Sequence, residues 1–82
     1  MNHVKVLFFA TLRDRVGTKS IEMDIPADLT VKGLKETLSQ EYPKLKESMS
    51  SVLITINREY AFDDAVIPPS AELAMFPPVS GG

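Results

Sequence analysis

The sequence predicts an α+β fold, a mixed sheet of about five strands packed on one main helix. Three observations carry this expectation. Two runs rich in β-branched and large apolar residues, Val4 to Ala10 and Val52 to Ile56, lie far apart in the chain. A third stretch, Ser20 to Ile25, alternates strictly between polar and apolar residues. Only one segment has a clear helical period, with Val31, Leu34, Leu38 and Tyr42 on one stripe.

Taken in order, Val4-Lys5-Val6-Leu7-Phe8-Phe9-Ala10 is apolar on both parities, as expected of a central strand buried on both faces. Thr11 to Val16 carries three charges and stops at Gly17, which suits a loop or a short helix closed by glycine. In Ser20–Ile25 the residues Ile21, Met23 and Ile25 face the core, and Ser20, Glu22 and Asp24 face water. Pro26 closes that strand. Thr30 is a helix N-cap, and Pro43 ends the helix near Glu41 or Tyr42. Gly33 weakens the helix by about 1 kcal/mol relative to Ala in an interior, less in the first turn. Lys44 to Ser51 is polar, with isolated Leu45 and Met49, and reads as a partly ordered connection. Val52–Ile56 reads as a second interior strand. Asn57-Arg58-Glu59 turns into a short strand at Tyr60-Ala61-Phe62. Asp63 to Ala71 is a loop kept extended by Pro68-Pro69, and Glu72–Phe76 is the last strand, stopped by Pro77-Pro78.

A hairpin, a helix and then returning strands is the order of the β-grasp (ubiquitin-like) fold. One helix covers one face of the sheet and leaves the other partly open. A ferredoxin-like split βαβ arrangement needs a second helix, which Lys44–Ser51 is too polar to supply. The expected organisation is one domain over residues 1–76, followed by an extended tail over 77–82.

Composition narrows the function. Eighty-two residues hold one core, and a chain this short buries only about 60% of its unfolded surface. A deep private active site is therefore not expected, and pocket chemistry belongs in a partner. The net charge is -2, from 9 Lys+Arg against 11 Asp+Glu. With no basic run, nucleic acid is not an expected partner. No apolar run approaches the ~20 residues of a membrane span, and the start lacks the regions of a signal peptide; a cytoplasmic location follows as the expectation. The absence of cysteine removes disulfides, Cys-zinc sites, Cys nucleophiles and persulfides.

Past Phe76 the chain reads Pro77-Pro78-Val79-Ser80-Gly81-Gly82. The two prolines remove backbone donors and forbid further sheet pairing, and they reduce the entropy lost when the tail docks. Six residues at ~3.3 Å each reach about 20 Å, enough to enter a neighbouring protein's pocket. Gly81 and Gly82 lack Cβ atoms, so they pass a narrow channel, and the Gly82 carboxylate is unhindered. A chance Gly-Gly end is expected in only about one chain in 200. A frayed terminus or an expression scar is the alternative, against which the stiff prolines argue. The Gly82 carboxylate is the expected working group.

The stretch Phe76-Pro77-Pro78-Val79-Ser80-Gly81-Gly82 resembles the C-terminal signature of the small, sulfur-carrier subunits of molybdopterin synthase, the MoaD type. Val4 to Ala10 with Leu12-Arg13 and Gly17 is similar to that family's first strand and turn. Thr30-Val31 with Leu34, and Ile56-Asn57-Arg58-Glu59-Tyr60, extend the similarity over nearly the whole chain. The resemblance implies that an E1-like enzyme adenylates Gly82 with ATP, after which the acyl-adenylate becomes a thiocarboxylate. Its sulfur would then attack cyclic pyranopterin monophosphate, reached only inside the large subunit, to build the molybdopterin dithiolene. Gly82 would carry the sulfur, Gly81 would permit passage, and Phe76, Pro77, Pro78, Val79 and Ser80 would line the docking channel. No bound cofactor or metal is implied, general acids and bases would lie in the large subunit, and the family suggests a heterotetramer. Two departures stand out: Pro69-Ser70-Ala71-Glu72 replaces a Gly-Asp turn, and Gly33 replaces an acidic residue early in the helix. A related carrier for thiamine or tRNA thiolation, a ubiquitin-like modifier and a binding-only β-grasp module are the other readings.

Remaining candidates are weaker. His3 has no Cys or second His beside it and reads as a strand-edge surface residue. Asp63 and Asp64, with Glu59 nearby, read as a solvated acidic loop rather than an acid–base pair. Phe8 and Met75 are expected in the core. Leu12, Phe62 and Phe76 are candidates for core or for an exposed apolar patch, with Phe76 and Val79 the expected interface residues.

Overall fold

The β-branched N-terminal run forms β1 (Asn2–Phe8), and a one-and-a-half-turn helix, α1 (Thr11–Val16), leads from it to β2 (Ser20–Ile25). The computed structural model describes residues 1–78, so the roles expected of Val79, Ser80, Gly81 and Gly82 lie outside the described residues. The main helix α2 (Val31–Glu41) follows, then a 3₁₀ turn at Pro43–Leu45. The chain returns as β3 (Leu53–Ile56), β4 (Glu59–Ala61) and β5 (Glu72–Phe76). The sheet order is β2-β1-β5-β3-β4. β1 pairs with β5 in parallel, and every other neighbouring pair is antiparallel. This is the β-grasp arrangement: the last strand sits in the middle of the sheet.

Helix α2 packs Val31, Leu34 and Leu38 against Val4, Val6 and Phe8 of β1, Leu73 and Met75 of β5, and Ile54 of β3, all in one buried cluster. Tyr42, the residue after the helix, sets its ring edge-on to Phe8 with centroids 6.5 Å apart. The expectation that Val4–Ala10 is a strand buried on both faces is corrected. The strand ends at Phe8, Lys5 is exposed and Leu7 half-buried, because no second layer covers the face opposite α2. Val52–Ile56 is corrected in the same way: the strand begins at Leu53, which is exposed on the open face. The short strand is Glu59–Ala61, and Phe62 lies past its end. Lys44–Ser51 is more ordered than its polarity suggested, since a series of turns buries both Leu45 and Met49.

Local chemistry sets the ends of the elements. Gly17 closes α1 with φ 88, a left-handed value that suits glycine. Asn57 and Arg58 take φ 50 and 73, the signature of a two-residue type I′ hairpin turn. Asn57 also ties this turn to β5, accepting from the Glu72 N–H at 2.9 Å and donating its own N–H to the Glu72 carbonyl at 2.8 Å. Ser70 takes φ 58, so the departure from a Gly-Asp turn leaves a serine in a conformation that favours glycine. At the start of α2, Thr30 Oγ1 accepts from the Gly33 N–H at 3.2 Å. The N–H groups of Val31 and Lys32 donate to the carbonyls of Ala65 and Asp63. The orphan donors of the first turn are thereby satisfied. A Cβ on Gly33 would lie 2.5 Å from Leu29 Cδ1, so the glycine leaves room for Leu29 to fold over the helix start.

On the open face His3 lies where β1 pairs only with β2, as its strand-edge reading anticipated. Nε2–H donates to Glu22 at 2.9 Å and Nδ1–H to Asp24 at 2.9 Å. Carboxylates only accept, so both contacts together require the imidazolium. The bonds to Glu22 and then Asp24 raise the His3 pKa, and the bond to His3 lowers that of Glu22.

Two predictions follow from these contacts. Leu38→Ala empties a fully buried site and should cost about 2–5 kcal/mol in urea unfolding. The His3 clamp makes stability pH-dependent. A raised His pKa stabilises the fold fully below its ordinary 6.5, and the benefit is lost as pH rises through the folded value. The lowered Glu22 pKa stabilises fully above its ordinary 4.5, and that benefit is lost as pH falls through the folded value. The clamp is thus at full strength between pH 4.5 and 6.5. His3→Gln should flatten the decline of the melting temperature above this window, measured by circular dichroism across pH 5 to 9.

Candidate functional site at the exit of the C-terminal tail

The tail leaves the sheet from β5, which is flanked by β1 on one side and β3 on the other. The ladder continues one step past β1, with the Phe9 N–H donating to the Met75 carbonyl at 3.2 Å. This holds Phe9 beside the last residue of β5. The rings of Phe9 and Phe76 stack with centroids 4.7 Å apart and planes within 9° of parallel. On the other side Leu53 is the register partner of Phe76, and the β3–β4 register carried one step on brings Phe62 beside Leu53. Phe9–Phe76–Leu53–Phe62 therefore forms one apolar row across the open face. Phe9 and Leu53 are each 41% exposed and Phe62 81%. Tyr60, 77% exposed, stands in the next row beside Thr55.

Backbone strain shapes one end of this row. Ala10 takes φ 52 and ψ -129, the angles of the first central residue of a type II′ turn. The turn closes through the Leu12 N–H to the Phe9 carbonyl at 3.1 Å. A non-glycine residue in such a region costs of order 1–3 kcal/mol. In return the chain reverses at once after Phe9, so Leu12 is buried below while Phe9 stays against Phe76.

Of the residues proposed from sequence, Phe76 and Pro77 are half-buried and Pro78 is exposed. Phe8, Met75 and Leu12 belong to the core, and Phe62 to the exposed row. Asp63 is held by Lys35 Nζ at 2.7 Å and supports α2, whereas the Asp64 side chain has no hydrogen-bond partner among the described residues. Phe9 and Leu53 were missed as site residues because each lay in a run taken as wholly buried. Lys5 was the available signal: a charge inside the run marks its water-facing parity, which Leu7 and Phe9 share. Among the described residues, no helix is long and apolar enough to cross a membrane.

Fold and site together define a ubiquitin-like β-grasp protein whose C-terminal segment leaves from the centre of an apolar row. The chain belongs to the ThiS family, whose model matches residues 6–82. It is 35% identical over 79 residues to the molybdopterin synthase sulfur carrier subunit of Arabidopsis thaliana, covering 96% of this chain and 82% of that one. Among solved structures it resembles SAMP1, small archaeal modifier protein 1, from Haloferax volcanii. The TM-score is 0.86 and the identity 27%, over 99% of this chain and 100% of that one. It also resembles a chain in the complex of subunits 1 and 2 of the molybdopterin-converting factor from Helicobacter pylori, at TM-score 0.68 and 25% identity, over 98% and 99% of the two chains.

Ala10→Gly should relieve the turn and raise stability by about 1 kcal/mol, whereas Phe9→Ala should lower it by about 1 kcal/mol through loss of the stack. Urea unfolding of the two variants gives opposite signs if the strain and the stack are as described.

Proposed function

We propose that the chain is the sulfur carrier of molybdopterin synthase, working in molybdenum cofactor biosynthesis through its Gly82 carboxylate. The observation that carries this reading is the near-full-length similarity to curated sulfur carrier subunits of that enzyme. The Helicobacter complex supports a large subunit as the partner. The chain supplies no thiol, so a carboxyl carbon is the natural place to hold sulfur. A carboxylate is a poor acyl donor. An E1-like enzyme would let a Gly82 oxygen attack the α-phosphate of ATP, releasing pyrophosphate and leaving a mixed anhydride. A hydrosulfide-level sulfur donor would then attack the acyl carbon and displace AMP to form the thiocarboxylate, whose sulfur would pass to the pterin precursor inside the large subunit as water restores the Gly82 carboxylate. The carrier needs no acid or base of its own for these steps. It needs a tail of fixed origin and an adhesive face around it: Phe76, Pro77 and Pro78 start the tail, and Phe9, Leu53 and Phe62 extend the face. Val79 and Ser80 would continue through the channel, with Gly81 giving clearance at its narrow end.

The likeness to SAMP1 favours a second reading, a ubiquitin-like modifier that joins lysine amines through the same activated carboxylate. Intact mass after incubation with the activating enzyme, ATP and a sulfur source separates the two. Exchange of one oxygen for sulfur at Gly82 is the expected result for the carrier, and covalent addition to other proteins is the modifier outcome. An unchanged mass would sink both. Deletion of Gly82 should abolish dithiolene formation in the assembled synthase without lowering the melting temperature. Phe76→Ala should weaken binding of the large subunit by tenfold or more, as loss of a central aromatic anchor does.

A further inference from the structure

Beside the Phe9–Phe76 stack, on the side of β2, lies a shallow pocket of about 230 Å³. Leu7 and Phe9 form its apolar part, and Lys5, Arg13 and Lys19 form its rim. Among the described residues no carboxylate lines it, and the nearest, Asp14, lines the adjoining hollow with Arg13 and Lys19. This concentration of cations stands against the balance of the chain, which carries two more acids than bases. Lys5 is partly offset, since it lies in register with Glu22 and Glu72. Arg13 and Lys19 make no ion pair among the described residues. The other arginine of α1, Arg15, is occupied, donating to the Lys44 carbonyl at 3.1 Å. On the far flank of the apolar row Tyr60 and Phe62 stand among acids: Glu59 and Asp64 line the same hollow, and Asp63 is held by Lys35. The surface around the tail is thus polarised from one side to the other.

We propose that Lys5, Arg13 and Lys19 form a docking rim for a protein partner that presents carboxylates beside an apolar seat, and that the rim orients the carrier so that its tail meets the channel. The charge distribution favours a protein over a nucleic acid. Three cations on one side of an aromatic row cannot follow a phosphate backbone, and the faces of Phe9 and Phe76 are already stacked on each other. Exposed charges act on encounter more than on final affinity, so the rim sets the association rate and its dependence on salt.

The choice of probe rests on the carrier reading: the large synthase subunit. Its association with the full chain is followed by stopped flow at low and high salt, for the unaltered chain, for Arg13→Glu/Lys19→Glu, and for Lys44→Glu/Lys46→Glu as a control of equal charge on another surface. The neutral pair Arg13→Gln/Lys19→Gln guards against disturbance of α1, and melting temperatures check folding. The rim reversal should slow association at low salt by about tenfold or more and flatten the salt dependence. The neutral pair should fall between, and the control should stay within twofold of the unaltered chain. Equal rates for the rim and control variants would overturn the rim, as would failure of the large subunit to bind, or rim-dependent retention by a DNA duplex or by ATP instead. Thiocarboxylate formation, read separately by intact mass at saturating activating enzyme, should be retained by the rim variant. Its absence from the unaltered chain would overturn the carrier reading and leave the rim to be judged on association rates alone.

Discussion

The parallel pairing of β1 with β5 is the contact on which the rest of the molecule depends. Without it the sheet falls into the β2–β1 hairpin and a separate β5–β3–β4 part, and a lone two-stranded hairpin is marginally stable at best. The pairing joins them, although β5 is made of residues nearly seventy positions away from β1. Closing so long a loop has an entropic cost that grows only slowly with length. The gain is a continuous five-stranded surface for α2 to cover. The same pairing decides where the tail begins. Because the last strand is central, the segment after Phe76 leaves from the middle of the sheet, with side chains of β1 and β3 on either hand.

The helix is anchored by the loop that precedes β5 as much as by its own apolar stripe. Its first N–H groups bond to carbonyls of Asp63 and Ala65, and Lys35 reaches back to Asp63. An acidic loop that invites a catalytic reading is thus part of the scaffold. The arrangement leaves α2 and β5 held through one connected segment, so that the tail has a fixed origin. A tail that acts as a reagent benefits from this, since ordering its base beforehand lowers the entropy lost on docking.

Two chemical surfaces meet at that origin. One is the exposed row Phe9–Phe76–Leu53–Phe62, which gives binding energy through burial of aromatic and aliphatic area. The other is the cationic rim of Arg13 and Lys19 with Lys5, which adds direction without a private pocket. Both suit the proposed role, in which a small protein presents its Gly82 carboxylate to larger partners.

The strand runs, the stripe of α2, its Thr30 cap and the stop at Gly17 were all legible in the chain, because each rests on residues close in sequence whose propensities and periods act locally. So was the composition of the tail, where prolines and glycines restrict or free the backbone wherever they stand. The hidden part was the face. Apolar parity is ambiguous in β3, where Leu53 is as apolar as the residues buried beside it, and in β1 Lys5 alone marks the water-facing parity that Leu7 shares. The covering of one side by α2 decides which parity loses contact with water along the whole row. Phe9, Phe76, Leu53 and Phe62 become neighbours through the register of β5 against β1 and β3, a relation between distant segments that no local pattern contains.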